Sequence, residues 1–152
     1  MRKISMILVA FLIVSVSGPL YSHCEIPCGI YGDQTRIKLI KEHITTVEKS
    51  MKQITELSAD KDKNFNQLVR WVDNKESHAD KIQHIVTQYF MTQRIKLADD
   101  GDAAKKVKYQ KELGLLHKML VYAMKAKQTT DLSYIEKMRN TIEEFEKSYF
   151  NK

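Results

Sequence analysis

The residues of this chain best suited to chemistry lie together in the stretch HCEIPCGIY, positions 23–31. The stretch contains both cysteines of the chain, Cys24 and Cys28, with His23 beside the first. The proline before Cys28 restricts the backbone and the glycine after it frees the next turn, so a short chain can bring both sulfurs to one ion. Nitrogen and sulfur donors in a flat array suit Ni(II) or Cu(II), whereas tetrahedral sites with such ligands favour zinc. We interpret residues 23–32 as a metal-binding hook.

Residues 1–22 have the pattern of a cleaved leader. Two basic residues open it, positions 6–16 are apolar except for one serine, and a small residue precedes the expected cut. The apolar run is too short to span a bilayer comfortably. Cleavage would make His23 a new N-terminus and add its α-amine to the available donors. We expect export to the periplasm or the exterior, with cytoplasmic location after dedicated processing as the alternative.

Two other interpretations of the hook stay open on these residues alone. A small disulfide between Cys24 and Cys28 is plausible in an exported chain, which meets oxidising conditions. The protein would then be a secreted, non-enzymatic helical protein that binds a partner through its lysine-rich surface. The hook could also belong to a nickel or copper carrier. Covalent haem and di-iron sites are not expected, because the chain has neither a Cys-x-x-Cys-His motif nor repeated Glu-x-x-His pairs.

Beyond the hook, apolar residues recur every three or four positions, as amphipathic helices require. The first stripe comprises Ile37, Ile40, Ile44, Val47, Met51, Ile54 and Leu57. The second comprises Phe65, Leu68, Val69, Val72, Ala79, Ile82, Ile85, Val86, Tyr89 and Phe90. The third comprises Tyr109, Leu113, Leu116, Met119, Leu120 and Met124, and the fourth Ile135, Met138, Ile142, Phe145 and Tyr149. The sequence therefore predicts an all-α protein, an antiparallel four-helix bundle over residues 33–152.

Polar residues predict where these helices begin and end. Asp33 is expected to cap the first helix, and Ser133 with Glu136 resembles a capping box on the last. The polar stretch Asp73–Ser77 inside the second helix is expected to be exposed or locally bent. Connections are expected at Ser58–Asn64, Ala98–Asp102 and Gln128–Asp131.

The charge pattern indicates a solvated helical surface. The chain carries 25 Lys and Arg against 19 Asp and Glu, but the lysines are spread through all helices among glutamates. Nucleic-acid binding usually needs a clustered basic face and is not expected. Stable membrane association after leader removal is not expected either, because His23 rather than a small residue precedes Cys24, unlike a lipoprotein signal. The other histidines are scattered and are interpreted as surface or packing residues: His43, His78, His84 and His117.

The pattern His-Cys-x-x-Pro-Cys-Gly-x-Tyr, at a processed N-terminus ahead of a four-helix bundle, resembles the nickel superoxide dismutase family. Two later segments, Gln67–Gln83 and Gln88–Lys96, are similar to a branch of that family found in marine microbes. The resemblance spans nearly the whole chain after the leader. Its motif positions are His23, Cys24, Pro27, Cys28, Gly29 and Tyr31.

This resemblance implies an enzyme that disproportionates superoxide to dioxygen and hydrogen peroxide at one nickel ion per subunit, cycling between Ni(II) and Ni(III). His23 would give its amine and imidazole, Cys24 its sulfur and backbone nitrogen, and Cys28 its sulfur. Tyr31 resembles the family's gatekeeper tyrosine over the open nickel face, and Tyr89 resembles a second tyrosine near it. The resemblance also implies that Pro27 and Gly29 shape the turn, and that neighbouring subunits of a homohexamer cover each hook.

The chain departs from the family pattern at three positions. Glu25 follows the first cysteine, where the family usually has aspartate. In well-known members a glutamate near the start of the first helix and an arginine from a neighbouring subunit restrain the axial imidazole. Lys38 and Asn74 stand where we align these residues. The group that supports the His23 ring is therefore not predicted.

Overall fold

The computed structural model describes residues 28–98 and 101–151, and all regular structure in these ranges is helical. The predicted leader and the hook residues His23, Cys24, Glu25 and Pro27 lie outside them. A 3-10 turn (Ser58–Asp60) joins the first two helices, and the second continues without a break as a π-helix (Ile85–Arg94). The four α-helices are α1 (Asp33–Leu57), α2 (Lys61–His84), α3 (Ala103–Gln128) and α4 (Ser133–Phe150). The predicted all-α fold is confirmed.

The helices form an antiparallel bundle. α1 packs against α2 and α4, and α3 packs against the same two helices, so the arrangement closes on itself. The first turn of α1 faces the last turns of α4, where Gln34 donates to Glu146 over 2.8 Å. Further along α1, Glu48 accepts from Arg139, an earlier residue of α4, over 2.5 Å. Among the described helices, none has the length and apolar character needed to cross a membrane.

The predicted apolar stripes form most of the core. On α3, however, the prediction for Met124 is wrong, because its side chain is exposed and Ala123 and Ala126 are buried instead. Successive helical residues point about 100° apart, so burial of Ala123 turns its neighbour outward. The fully buried larger side chains are Ile37, Ile40, Ile44, Met51, Ile82, Phe90, Leu116, Met119, Ile135, Met138, Ile142 and Phe145.

The first half of α2 is not part of the core, contrary to prediction. Phe65 is 70% exposed, and Val69 and Val72 are exposed as well. Lys75 of α2 is level with the C-terminal end of α3, because its Nζ reaches the Lys127 carbonyl. Residues 61–74 therefore extend past the end of α3, and we call this part of α2 the overhang. Its apolar side chains have α1 as their principal helical neighbour, which leaves their outer faces in solvent.

Two predicted caps are made differently. Gly32, not Asp33, is the N-cap of α1, and its carbonyl accepts the Arg36 N–H over 3.0 Å. Asp33 is the first residue of the helix, and its carboxylate is engaged by other side chains. Ser133 does not cap α4 either. The carboxylate of Asp131 instead accepts from both the N–H and the hydroxyl of Ser133, over 2.9 and 2.8 Å, an Asx-type turn.

The hydrogen-bond pattern of the second helix changes at Ile85, which the sequence does not predict. The Ile95 N–H donates to the Phe90 carbonyl, five residues back, over 2.8 Å. The side chains of Thr92 and Gln93 also donate to carbonyls five residues earlier, over 2.7 and 2.8 Å. A backbone bond to the carbonyl five residues back, as at Ile95, is the pattern of a π-helix, which occurs mostly as single turns and often at functional sites. Ten residues in this form are a long example.

Polar stretches predicted to interrupt the helices are largely helical. Of the connection predicted at Ser58–Asn64, the first three residues form the 3-10 turn and the rest belong to α2. Asp73–Ser77 is an unbroken part of α2, in which Asp73 is exposed as expected but Lys75 is only 5% exposed. Its ammonium donates to the carbonyls of Lys127 over 2.6 Å and Thr129 over 3.2 Å. Lys75 thus caps the C-terminal end of α3, where unpaired carbonyls favour a cation.

Replacing Lys75 with methionine should destabilise the bundle, because two carbonyl oxygens lose a charged donor while the aliphatic stem is kept. We expect the free energy of unfolding to fall by about 1–3 kcal/mol, measured by urea unfolding followed by circular dichroism. The control Lys52→Met removes an exposed lysine that pairs with Glu48, which keeps its second partner Arg139, and it should cost less than about 1 kcal/mol. Equal losses in the two variants would contradict the capping role.

Candidate functional site

The described part of the hook begins at Cys28, which is exposed. Gly29 follows with a φ of +76°, a left-handed conformation that side chains other than glycine rarely adopt. No atom lies within 4 Å of where a Cβ at Gly29 would be, so the backbone angle alone requires glycine. Two residues later the chain reaches Tyr31, and Gly32 then caps α1. The chain therefore turns directly after Cys28 and then enters the bundle.

Tyr31 lies against the π-helix. Its ring meets that of Tyr89 edge to face, with the ring centroids 6.1 Å apart. The guanidinium carbon of Arg94 lies 4.1 Å from the Tyr31 ring centroid, a cation–π contact. Arg36 of α1 lies over the Tyr89 ring at 5.1 Å. Tyr31 stays 42% exposed. The two tyrosines that the resemblance placed near each other are thus neighbours, with a guanidinium beside each.

The carboxylate of Asp33 lies at the centre of this region. Arg94 binds it with two donors, Nε to Oδ1 and Nη2 to Oδ2, each over 2.8 Å. The Tyr89 hydroxyl donates to Oδ1 over 2.5 Å, and the Tyr149 hydroxyl donates to Oδ2 over 2.8 Å. One side chain therefore joins α1, the π-helix and α4. We call Asp33, Tyr89, Arg94 and Tyr149 the Asp33 cluster.

These contacts change the titration of every group in the Asp33 cluster. Burial alone would raise the pKa of Asp33, but hydrogen bonds from Arg94, Tyr89 and Tyr149 and the charge of Arg94 lower it below 3.8 overall. Burial, with the nearby Asp33 carboxylate, raises the pKa of both Tyr89 and Tyr149 to about 12. At neutral pH the carboxylate is therefore ionised and both phenols keep their protons, so the observed donor and acceptor roles are matched.

Aromatic rings connect the Asp33 cluster to the core. Phe90 packs edge to face on Tyr89 and on Phe145, with centroids 5.1 and 5.0 Å apart. Tyr149 stacks on Phe145 at 5.4 Å and meets the edge of Phe90 at 5.7 Å. Such ring pairs stabilise a core beyond the area they bury. The position of Tyr89 is therefore determined by close packing as well as by its hydrogen bond.

Lys38 and Asn74, which align with the family residues that restrain the axial imidazole, are not members of the Asp33 cluster. Lys38 is exposed on α1, and Asn74 donates to the Ser50 hydroxyl over 2.9 Å between α1 and α2. Two of the scattered histidines form a pair, His43 and His78, with their Nδ1 atoms 3.1 Å apart. Burial lowers the pKa of both histidines. At His43 the charge of His78 lowers the pKa further.

The candidate ligands Cys28 and His23 suit nickel by their donor atoms, a thiolate and an amine with an imidazole. Among residues 28–98 and 101–151, no three His, Cys, Asp or Glu side chains lie close enough together to hold a metal ion. His23 and Cys24 lie outside those ranges. The roles of His23, Cys24, Cys28 and Tyr31 therefore stay predictions.

The model of the nickel-containing superoxide dismutase family matches residues 19–152. The chain belongs to this family. It is an oxidoreductase that contains nickel and acts on superoxide. Comparisons with curated proteins and with solved structures return no match. The matched range includes the whole predicted hook, the described helices and the Asp33 cluster.

Sequence reasoning missed three members of this dismutase's Asp33 cluster as site residues. The sequence pattern predicts a helix cap at Asp33 and a core position at Tyr149. Arg94 lies within Gln88–Lys96, the segment that shares similarity with the family, but no role was attached to it. The sequence does contain a signal: Asp33 lies two residues after Tyr31, and Arg94, of opposite charge, lies five residues after Tyr89. Only the fold reveals that they are adjacent.

Asp33→Asn should destabilise the enzyme by about 2–3 kcal/mol at pH 7, because a charged acceptor of four hydrogen bonds becomes neutral and leaves Arg94 unpaired. The Asp33 pKa is lowered on folding, so the unfolded chain binds more protons just below pH 3.8 and stability rises with pH there. The difference between wild type and variant should therefore be constant near neutrality and shrink as the pH falls through the folded pKa.

Urea unfolding at pH 7 and at pH 3 measures this difference. Asp80→Asn is the control, because Asp80 is an exposed aspartate whose partner Lys127 lies 2.5 Å away. Its effect should stay below about 1 kcal/mol at either pH. A destabilisation by Asp33→Asn that is the same at both pH values would contradict an ionised Asp33.

Proposed function

We propose that the N-terminus exposed by removal of residues 1–22 holds the nickel of this enzyme. His23 would contribute its α-amine and imidazole, Cys24 its sulfur and backbone nitrogen, and Cys28 its sulfur. The observation that carries the proposal is the exposed Cys28 immediately before the left-handed turn at Gly29, three residues from Tyr31. Tyr31 in turn contacts Tyr89 and Arg94 of the Asp33 cluster, so the segment that follows Cys28 is fixed to the bundle.

The reaction consumes two superoxide ions and two protons and yields dioxygen and hydrogen peroxide. When bound, nickel supplies the redox chemistry by alternating between Ni(II) and Ni(III). Anionic thiolates such as that of Cys28 favour the higher oxidation state, because they donate electron density to the metal. The α-amine can act as a donor only if no residue precedes His23, which makes processing a condition of activity.

The residues around Tyr31 would control how the anionic substrate arrives. Arg36, whose guanidinium lies over the Tyr89 ring, would give this region a positive field, whereas the charge of Arg94 is balanced by the Asp33 carboxylate. Such a field raises the local concentration of a small anion and its rate of association. The exposed edge of Tyr31 would order the substrate or water at the open face of the site. Tyr89, whose hydroxyl binds Asp33, would support that ring.

We also propose that the mature enzyme is exported and assembles as a homohexamer in which neighbouring subunits cover the hook. The exposure of Cys28 and of Ile30, a large apolar residue beside it, supports a covering partner. Glu25, Pro27 and Gly29 would shape the hook beneath that cover. The oligomeric state is measurable by light scattering of the processed protein.

The active protein should begin at His23. An additional residue would convert the α-amine to a peptide nitrogen and remove one donor. Intact-mass measurement of the active, nickel-containing protein should therefore show the loss of residues 1–22. A nickel-loaded and active protein that still carries Ser22 would refute the proposed ligand set.

Cys28→Ser should lose nickel and activity while keeping its helices, because Cys28 is exposed and lies outside the core. Elemental analysis, superoxide decay and circular dichroism measure the three properties. The control Ile30→Ser changes an exposed residue of the same segment that has no donor atom, and it should keep nickel. Unfolding of Cys28→Ser would instead favour the structural disulfide, as would the absence of titratable thiols after metal removal.

A further inference from the structure

We infer that Arg94 is a positioning residue that holds the Tyr31 ring in place, and that the π-helix is what brings Arg94 to it. The contacts that support this role are those of Arg94 with Tyr31 and Asp33, and that of Tyr89 with Tyr31. Its consequence for turnover rests on the proposed function, in which Tyr31 lies at the open face of the nickel site.

The guanidinium of Arg94 is itself held in a defined plane. Both of its bonds to Asp33 are 2.8 Å long, and each uses a different carboxylate oxygen, so rotation of the guanidinium would break at least one. The two side chains are only 23% and 16% exposed, so water competes weakly for them. A planar cation fixed in this way can stack on an aromatic ring, which a flexible ammonium group cannot do equally well. The ring it meets is Tyr31, at 4.1 Å.

The π-helix explains why Tyr89 and Arg94 act together. They are five residues apart, and in an α-helix five residues correspond to a rotation of about 500°, which leaves two side chains about 140° apart. In a helix with bonds between residues i and i+5, side chains at this spacing lie close to one face. Both side chains indeed bind the same oxygen, Oδ1 of Asp33, and both contact the Tyr31 ring. An α-helical continuation of α2 would separate them.

Tyr31 precedes the first residue of α1, and its ring contacts in the described chain come from the π-helix. Tyr89 meets its edge, and Arg94 lies over its face. A cation–π contact of this type changes the population of the held ring position by roughly two- to thirty-fold. Loss of Arg94 should therefore free the ring, although the Tyr89 contact would remain.

Fluorine NMR of the full-length, folded protein labelled with 3-fluorotyrosine tests the assignment without nickel. Loss of a signal in Tyr31→Phe identifies the Tyr31 resonance. In Arg94→Met this resonance should move toward the position of an exposed, freely rotating tyrosine and become narrower. Arg139→Met is the control, because Arg139 also pairs with a carboxylate of α1, that of Glu48, fifteen residues after Asp33 and away from Tyr31. It should leave the Tyr31 resonance unchanged.

Arg94→Lys keeps the inference testable if Arg94→Met fails to fold. Lysine keeps the positive charge for Asp33 but lacks the planar fork. We expect wild-type helicity by circular dichroism together with a Tyr31 resonance displaced in the same direction as in Arg94→Met. A Tyr31 resonance at the wild-type position in either folded variant would overturn the inference.

The processed, nickel-loaded variants separate this inference from the proposed function. Nickel per subunit should be unchanged in Arg94→Lys, while kcat/KM for superoxide should fall roughly two- to thirty-fold. Loss of nickel in Arg94→Lys would overturn a role confined to Tyr31. If the Cys28→Ser variant kept its nickel, the proposed ligand set would fail, whereas the fluorine signals would still decide the role of Arg94.

Discussion

The ionised carboxylate of Asp33 is the interaction on which the arrangement of this region depends. Four hydrogen bonds from Arg94, Tyr89 and Tyr149 satisfy both of its oxygens, and they come from two elements that are distant in sequence. A partly buried carboxylate is unfavourable unless it is paired and hydrogen-bonded. The first turn of α1 is therefore held against the π-helix and α4 at the point where the chain leaves the hook.

The Asp33 cluster also connects the N-terminal segment to the helical bundle. The proposed hook has only a few residues and cannot bury a core of its own, so the bundle must fix its last described residues. Tyr31 provides that connection, since it follows the turn at Gly29 and packs on the side chains that Asp33 orders. The aromatic packing of Phe90 and Phe145 then joins these side chains to the core. The residues that stabilise this end of the bundle are therefore the same ones that position Tyr31.

Much of this architecture could be predicted from local patterns. The three- and four-residue spacing of Ile37, Ile40 and Ile44 identified a buried helix face, and the positions of Cys28 and Tyr31 indicated the family. The π-helix could not be found in the same way, because apolar spacing around Tyr89 is compatible with either helical form. The partners of Asp33 lie 56 to 116 positions away, and a pattern within one helix carries no information about them. For the same reason the local pattern at Asp33 predicts only an ordinary helix cap.

The overhang has a consequence for how the molecule opens. Residues 61–74 extend past the end of α3, and Phe65 and Val69 contribute little burial there. Cooperative units with few buried apolar contacts open at a lower free energy than the rest of a protein. Backbone amides of the overhang should therefore exchange with solvent deuterium by local fraying, whereas amides near Phe90 should exchange only when the whole bundle unfolds. The overhang lies at the end of the bundle away from Tyr31, so local opening of the described helices should concentrate away from the Asp33 cluster.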